Sequence, residues 1–528
     1  MKETDRMLCR QCQESIAGTG CTKNGVCGKS GELADRMDYL IRTMMELSKA
    51  SQSCNDDRVI GEIDETIVDG LFMTLTNTNF DMDRIDAQIE RVKSLVKSLG
   101  HQCKVCACDH PDMGIVTYDA NEDLRSLKEL LLYGLKGLAA YYHHAYVLGA
   151  RDASVTVFMR KGLASIISEH TADELVALNM ECGKVGVTAM ALLDRYNTET
   201  YGKPEITKVR TGTGKNPGIL ITGHDLKDLE MLLEQTKGTG IDVYTHGEML
   251  PANAYPAFKK YDNLVGNYGG AWYKQKEEFE SFNGPIVATT NCVLIPRDTY
   301  KERLFTTGTA GVSGVRHIPS KDGKKDFSEV IAVARNCAAP KQIDDVELTI
   351  GFAHDQTLAL AGTIIDAVKA GAIKRFVVMA GCDGREKSRQ YYADFAEQLP
   401  KDTVILTAGC AKYRYNKLSL GDIGGIPRVI DAGQCNDCYS LVVIASALAE
   451  AFGTDINGLP LSFNISWYEQ KAVLVLLSLL SLGVKDIMLG PRLPVFITPN
   501  ILNVLVGTFG IKPNGDIGAD MKVLKILG

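Results

Sequence analysis

The distribution of apolar residues predicts a helical N-terminal region. A stripe typical of one face of an amphipathic helix is formed by Ile85, Ile89, Val92, Val96 and Leu99. Residues 123–150 and 172–197 show the same period of three to four, with few strand signals between them. We therefore predict a helical bundle over residues 30–200.

From residue 218 onward, short β-rich apolar runs alternate with helical segments, which is typical of βαβ units around a parallel sheet. The candidate strands are Ile219–Thr222, Ile241–Thr245, Ile286–Thr290, Val346–Ile350, Phe376–Met379, Val404–Thr407, Val429–Ala432 and Ile487–Leu489. The pattern breaks near residues 336–345. We predict a cysteine-rich segment with an α-helical bundle over residues 1–210, followed by two Rossmann-like α/β domains over residues 211–342 and 343–528.

Composition and charge narrow the class of protein. The chain has 528 residues, of which 45% are hydrophobic and 23% charged, as in a soluble globular protein. Its net charge of -7, without a basic block, predicts no nucleic-acid or anionic-membrane partner. The longest apolar run, residues 472–484, is shorter than the ~18 residues that a membrane span needs. No secretory signal precedes the first motif, so we expect a cytoplasmic protein.

Fifteen cysteines in a chain expected to stay reduced favour metal binding over disulfides. Four of them are closely spaced in a glycine-rich segment, as Cys9-x2-Cys12-x8-Cys21-x5-Cys27. Soft thiolate ligands select zinc or an iron–sulfur cluster, and both usually take four. The spacing predicts a metal and leaves the choice between these two open.

A second set of candidate ligands follows the predicted strands: His224, Glu248, Cys292, Cys382, Cys410 and Cys435. Residues at the carboxyl ends of parallel strands converge in space although they are distant in sequence. We therefore expect these side chains to form a second site. The alternative is that small cysteines simply pack where strands meet helices.

Glu469 lies in the segment Ser466-Trp-Tyr-Glu469-Gln-Lys471, directly before the apolar run. By itself this segment predicts a capping box, with Ser466 as the N-cap and Glu469 at the third helical position.

Taken together, several motifs resemble those of the hybrid cluster protein (prismane) family, whose members are also called hydroxylamine reductases. The resemblance runs from residue 7 to the C-terminus. The motifs are Leu8-Cys9-Arg-Gln-Cys12, Thr245-His-Gly-Glu248, Thr290-Asn-Cys292, Ala-Gly-Cys410, Gly-Gln-Cys435-Asn and Ser466-Trp-Tyr-Glu469-Gln-Lys471.

The resemblance implies two cofactors. A [4Fe-4S] cluster of the anaerobe type is expected on the four N-terminal cysteines. A hybrid [4Fe-2O-2S] cluster is expected on His224, Glu248, Cys292, Cys382, Cys410, Cys435 and Glu469, with a persulfide on Cys382. This assignment overrides the capping-box interpretation of Glu469. Cys438 and the group Cys103, Cys106 and Cys108 match no family ligand, and a peripheral zinc site or ordinary thiols remain open for the latter.

The implied activity is the reduction of hydroxylamine to ammonia and water. Glu248, Glu469 and Lys471 are the proton donors that the sequence offers near the second site. The resemblance also permits nitric oxide reduction or protein S-nitrosylation, and a non-catalytic iron–sulfur redox sensor is a further alternative. A carbon monoxide dehydrogenase relative is suggested by the strand-end cysteines. No flavin or nicotinamide motif is evident, which predicts a separate electron-donor protein.

Overall fold

The computed structural model describes residues 7–15, 18–101 and 119–527, and all elements given below belong to this part of the chain. Cys103, Cys106 and Cys108 lie outside the described residues.

The first part of the chain is helical, as its apolar period predicts. Its helices are α1 (Gly31–Ala50), α2 (Asp57–Met73), α3 (Met82–Ser98), α4 (Glu122–Val147), α5 (Ala153–Ile166) and α6 (Ala172–Tyr201). Each of these six helices has a polar N-cap residue whose side chain accepts a hydrogen bond from a first-turn backbone amide. The N-cap residues are Ser30, Asp56, Asp81, Asn121, Asp152 and Thr171. Helix α4 packs between α6, α2 and α5, and it is buried along most of its length.

The middle part of the chain forms a parallel sheet. This part of the chain has ten strands, of which six belong to the sheet. The strands are β2 (Thr207–Arg210), β3 (Gly218–Thr222), β4 (Asp242–His246), β5 (Leu264–Asn267), β6 (Ile286–Ala288), β7 (Leu304–Thr307), β8 (Gly311–Val312), β9 (Arg316–Ile318), β10 (Ser320–Lys321) and β11 (Lys324–Lys325). The helices are α7 (Leu226–Thr236), α8 (Gln275–Phe282), α9 (Asp298–Lys301) and α10 (Ser328–Ala334). The sheet has the order β5-β4-β3-β6-β7-β9. Strand β8 pairs with β1 (Asn79–Phe80), which joins this part to the helices.

The last part repeats this plan. Its strands are β12 (Glu347–Ile350), β13 (Arg375–Val378), β14 (Thr403–Thr407), β15 (Asp422–Ile423), β16 (Ile426–Pro427), β17 (Val429–Asp431), β18 (Leu461–Ser466), β19 (Ile487–Gly490) and β20 (Lys512–Pro513). The helices are α11 (His354–Ala359), α12 (Ala361–Lys369), α13 (Gln390–Gln398), α14 (Tyr439–Phe452), α15 (Gln470–Ser481), α16 (Pro499–Phe509) and α17 (Ile517–Val523). The parallel sheet has the order β17-β14-β13-β18-β19-β20.

Several strands differ from the prediction. The parallel sheets contain β5, β7, β9 and β20, which the sequence pattern does not predict. The run at 346–350 is a strand, but it pairs antiparallel with β2 and stays outside both parallel sheets. Strand β18 was missed, although it lies in the interior of the last sheet between β13 and β19. Its sequence, Leu-Ser-Phe-Asn-Ile-Ser, alternates as a half-exposed strand would, yet every one of its residues is buried.

The apolar run at 472–484 forms most of α15, which packs against α4 and α6. By length and composition alone, the segments Ala172–Tyr201 and Cys435–Phe452 could cross a membrane. The first of these packs against α4 and α15, and 44% of its most apolar window is buried. The core helices of soluble proteins meet the same length and composition criteria.

Candidate metal centres

The N-terminal cysteine loop is closed by a short backbone pairing. Cys9 and Cys21 form an antiparallel bridge, in which each amide donates to the carbonyl of the other at 3.0 and 2.9 Å. Ser15 caps the turn after Cys12 by donating from Oγ to the Cys12 carbonyl at 2.8 Å. The pairing places Cys9 beside Cys21 and so brings the two halves of the loop together.

The thiol groups of this loop influence each other. Burial raises the pKa of the Cys12 thiol well above its usual value, and Cys9, Cys27, Glu14 and Cys21 raise it further. A Cβ atom at Gly25 would lie 2.8 Å from Cys27 Sγ, so the close approach of this sulfur requires glycine. All four cysteines are free thiols. Four convergent thiols without disulfides fit a compact metal centre.

The second set of predicted ligands lies around a single buried cavity. Each of these residues follows a strand at its carboxyl end, three from the middle sheet and four from the last. They are His224 after β3, Glu248 after β4, Cys292 after β6, Cys382 after β13, Cys410 after β14, Cys435 after β17 and Glu469 after β18. The carboxyl edges of the two sheets therefore meet at this cavity.

His224, Glu248 and Cys435 are the most closely grouped. Each places one ligand atom within 4.8 Å of the others, and His224 Nε2 is 3.1 Å from Cys435 Sγ. Glu248 Oε2 accepts from the Cys435 amide at 2.6 Å. Glu248 Oε1 is buried and has no hydrogen-bond partner in the described structure. Burial of a carboxylate oxygen without a hydrogen-bond partner costs free energy unless a cation binds to that oxygen.

The imidazole of His224 is held in one orientation. Its Nδ1 lies 2.9 Å from Thr290 Oγ1, which also accepts from the His224 amide. Burial lowers the pKa of His224 well below its usual value, and the neighbouring Lys471 and His144 lower it further. The neutral imidazole that results is the form that binds metals, and Thr290 supplies the second-sphere contact such ligands need.

Glu469 is the N-cap of α15, because its Oε2 accepts from the Lys471 amide at 2.8 Å. The capping box with Ser466 as N-cap is therefore wrong. Ser466 ends β18 and Glu469 itself begins the helix, which leaves its carboxylate at the cavity. Asn291 Nδ2 contacts Glu469 Oε1 at 3.5 Å. Lys471 also reaches the cavity, with Nζ 3.1 Å from His224 Nε2.

The cavity carries an excess of acidic groups. Burial raises the pKa of the Cys292 and Cys410 thiols, and the carboxylates of Glu469 and Glu248 respectively raise them further. Among the described residues that line the cavity, Lys471 is the one permanent cation. The negative charges of these thiolates and carboxylates repel one another, and this repulsion decreases when the groups bind positively charged iron. The mixed sulfur, oxygen and nitrogen donors fit a cluster of several metal ions.

Two residues that are close in sequence to the predicted ligands lie outside the ligand set. His246 is fixed between Glu278 Oε2 and Thr222 Oγ1, both at 2.9 Å, and takes no part in the cavity. The Cys438 thiol lies against Tyr141 and Met190, in the wall of a neighbouring apolar passage.

Sequence reasoning missed several residues that shape the site. Trp272, for which the sequence alone favours a plain core role, lines the cavity, and its indole donates to the Asp383 carbonyl at 3.0 Å. Tyr141 of α4 donates to the Cys435 carbonyl at 3.0 Å. Asn291 adjoins both Cys292 and Glu469. The motif Thr290-Asn-Cys292 could have indicated Asn291, whereas nothing in the helical pattern of α4 marks Tyr141.

The family model for the prismane/CO dehydrogenase family matches residues 7–522. The chain belongs to this family. Within it, a hydroxylamine reductase of Methanosarcina mazei is 56% identical over 98% of this chain and 100% of its own length. A hydroxylamine reductase of Clostridium botulinum is 54% identical over 98% of this chain and 99% of its own.

The fold of the family is also seen in solved structures. A carbon monoxide dehydrogenase from Thermococcus superposes with a TM-score of 0.57 at 18% identity, covering 98% of this chain and 90% of that one. Carbon monoxide dehydrogenase IV from Carboxydothermus hydrogenoformans gives 0.58 at 15% identity, covering 99% and 92%. The likeness establishes a multidomain α/β architecture with parallel sheets. Family membership and the two thiol clusters together indicate that the chain binds iron–sulfur clusters.

Proposed function

We propose that this protein is an oxidoreductase that reduces hydroxylamine to ammonia and water, with two electrons and two protons consumed per molecule. The observation that carries the proposal is the convergence of a histidine, two glutamates and four cysteines on one buried cavity. The names of the relatives at 54–56% identity support the same activity.

The two thiol sites have different roles in this proposal. Cys9, Cys12, Cys21 and Cys27 hold a [4Fe-4S] cluster. The seven residues of the buried cavity hold the hybrid [4Fe-2O-2S] cluster, with Cys382 as the persulfide. When bound, this mixed cluster supplies iron with coordination positions open to small nitrogen species, because carboxylate and imidazole ligands are more labile than thiolates.

The side chains of the cavity supply protons to the substrate. We infer that Lys471 holds a proton for the departing oxygen, since its ammonium group reaches the cavity beside His224. Glu248 and Glu469 act as further proton carriers at the same wall. Burial of all three groups excludes bulk water, which strengthens their electrostatic contact with a small polar substrate.

Electrons enter from a separate donor protein at the N-terminal loop. The loop contacts the segment before α15 directly, because the Gln13 amide donates to the Tyr468 carbonyl at 2.9 Å. The ring of Tyr468 packs against Trp272 with centroids 4.8 Å apart. A dense, fully buried contact of this kind keeps the distance between the two sites short.

The domain organisation is part of the proposal. Residues 1–210 form the cluster segment and helical bundle, and residues 211–342 and 343–528 form two Rossmann-like α/β domains. The antiparallel pair of β2 and β12 supports both boundaries, since it lies at the two ends of the middle segment.

A count of iron, zinc and acid-labile sulfide in anaerobically purified protein tests the cofactor assignment. We expect about eight irons per chain with less sulfide than iron, because the second cluster is bridged partly by oxygen. Cys435→Ser should lose about four irons and keep the N-terminal cluster, whereas Cys438→Ser, the matched control, should lose none. Four irons in the wild type, or zinc alone, would contradict the assignment.

A second candidate activity, reduction of nitric oxide, is favoured by an apolar passage. The passage reaches from Cys382, Cys435 and Lys471 to Leu482, whose side chain is 42% exposed. Its wall is formed by the apolar side chains of β13, β18, α14 and α15, with few polar groups. Such a passage suits a small, weakly hydrated molecule better than it suits hydroxylamine. Turnover of each substrate by the same preparation separates the two activities.

A further inference from the structure

A second buried cavity adjoins the N-terminal cysteine loop on the side of helices α1 and α4. It is lined by Cys9 of the loop and by a group of ionisable side chains, namely Lys29, Asp38, Glu129, Tyr133 and Lys136. It shares none of its described lining residues with the cavity between the two sheets. None of these ionisable groups has a role in the proposed reaction.

Lys29 is fixed in this cavity by the backbone around it. The residue directly precedes Ser30, the N-cap of α1, and its carbonyl accepts from the Gly25 amide at 2.7 Å. Asn24 and Ser30 form an antiparallel bridge that closes the same turn. As a result the Lys29 side chain is 7% exposed, whereas Lys23, at the tip of the same loop, is exposed.

Lys29 lies beside the thiols of the loop. It lines the same cavity as Cys9 and Asp38. A Cβ atom at Gly25 would lie 2.8 Å from Cys27 Sγ and 3.4 Å from Lys29 Cβ, so the lysine and this thiol flank the same glycine. The other charged groups of the cavity have partners of their own. Glu129 pairs with Arg10 at 2.5 Å, and Lys136 donates to Gln11 Oε1 at 2.9 Å and to the Thr74 carbonyl at 3.3 Å.

We propose that Lys29 raises the reduction potential of the cluster held by the N-terminal loop, and that Asp38 opposes it. The inference rests on the proposed assignment of a cluster to Cys9, Cys12, Cys21 and Cys27. Reduction adds one electron to the cluster and makes it more negative. A buried cation beside the thiolates stabilises that extra charge in a medium of low dielectric constant, and a neighbouring carboxylate destabilises it.

The test is a potentiometric titration of the anaerobic holoenzyme with dithionite, in which the EPR signal of the reduced N-terminal cluster is followed. Lys29→Met should move the midpoint potential to more negative values, and Lys29→Arg should leave it close to that of the wild type. Lys23→Met is the matched control, because it removes the same charge from an exposed position of the same loop. It should produce little shift, since solvent screens exposed charges.

Asp38→Asn provides the opposite change. At pH 8, above the pKa of about 6 to which burial raises this carboxyl group, the substitution removes a negative charge and should move the potential to more positive values. Opposite shifts from two neighbours are not expected of general damage to the fold.

Three results would be decisive against the inference. The first is a Lys29→Met potential equal to that of Lys23→Met. The second is an unchanged or more negative potential for Asp38→Asn, which decides the question if Lys29→Met fails to retain its iron. The third is a wild-type protein without a reducible cluster in this loop. That result contradicts the cofactor assignment as well, whereas the first two leave the assignment intact.

Discussion

At the level of single residues, the second site depends on the orientation of a few side chains. Glu469 shows this best, because the same carboxylate caps α15 and reaches the cavity. Its position two residues before Lys471 brings both charged groups to the first turn of one helix. The strand-end rule predicted six members of the set from sequence, but it could not predict Glu469, because β18 was not recognised as a strand.

Lys471 supplies the prediction at this scale. Lys471→Met should slow hydroxylamine turnover by about 10²–10⁴-fold, since the substitution removes a positioned proton donor while keeping the length of the side chain. The iron content and the spectra of both clusters should remain those of the wild type. Lys471→Arg keeps the positive charge and should retain more activity than the methionine variant. Wild-type turnover in Lys471→Met would rule out the role.

At the level of elements, α15 lines both the buried cavity and the apolar passage beside it. Ala472, Val475 and Leu479 recur at helical spacing and form the part of its surface that lines the apolar passage. The opposite face packs against α4 and α6, where Gly137 and Gly183 allow close approach: a Cβ atom at Gly183 would lie 2.2 Å from the Leu477 carbonyl oxygen. The apolar run that sequence reasoning treated as core is therefore also a passage wall.

A bulkier side chain at Val475 should narrow this passage. We expect Val475→Phe to reduce turnover of nitric oxide more than turnover of hydroxylamine, because an apolar route favours the less hydrated molecule. Val475→Ala, the matched variant, should preserve both rates. The measurement is the ratio of the two turnover rates in each variant at equal iron content. An equal loss with both substrates would show that the passage does not discriminate between them.

At the level of the whole molecule, the N-terminal loop is clamped to the last α/β segment. Glu14 accepts from the Arg385 amide at 2.8 Å and from its guanidinium at 2.6 Å, and the Tyr468 hydroxyl contacts the same carboxylate at 3.4 Å. Glu14 is 4% exposed. These contacts hold the two thiol sites at a fixed separation, although Glu14 and Arg385 lie 371 residues apart in sequence.

Removing the charge of Glu14 should loosen this clamp. We expect Glu14→Gln to cost about 1.5–3 kcal/mol, the range for a hydrogen bond to a charged group, and so to lower the midpoint of thermal unfolding. Reoxidation of the dithionite-reduced holoenzyme by hydroxylamine should slow as well. Glu32→Gln, at an exposed position of α1, is the control and should change neither quantity. Equal midpoints of thermal unfolding for the two variants would contradict the stabilising role of these contacts.

The sequence by itself determined the features that depend on local pattern. These are the helical first part, the alternation of strands and helices after residue 218, the four-cysteine loop and six of the seven strand-end ligand candidates. Each follows from the period of the apolar residues, the spacing of the cysteines or the position of a residue directly after a strand. These signals can be read from residues that are close together in sequence.

Only the tertiary structure decided how distant residues meet. Four features join segments whose own sequences do not encode the partner. They are the burial of β18, the pairing of β2 with β12, the contact of Tyr141 with Cys435 and the position of Lys29 in the same cavity as Cys9. The physical reason is that burial and electrostatic environment belong to the packed molecule. A polar residue in a strand or a lysine in a loop therefore acquires its chemistry only once the rest of the chain surrounds it.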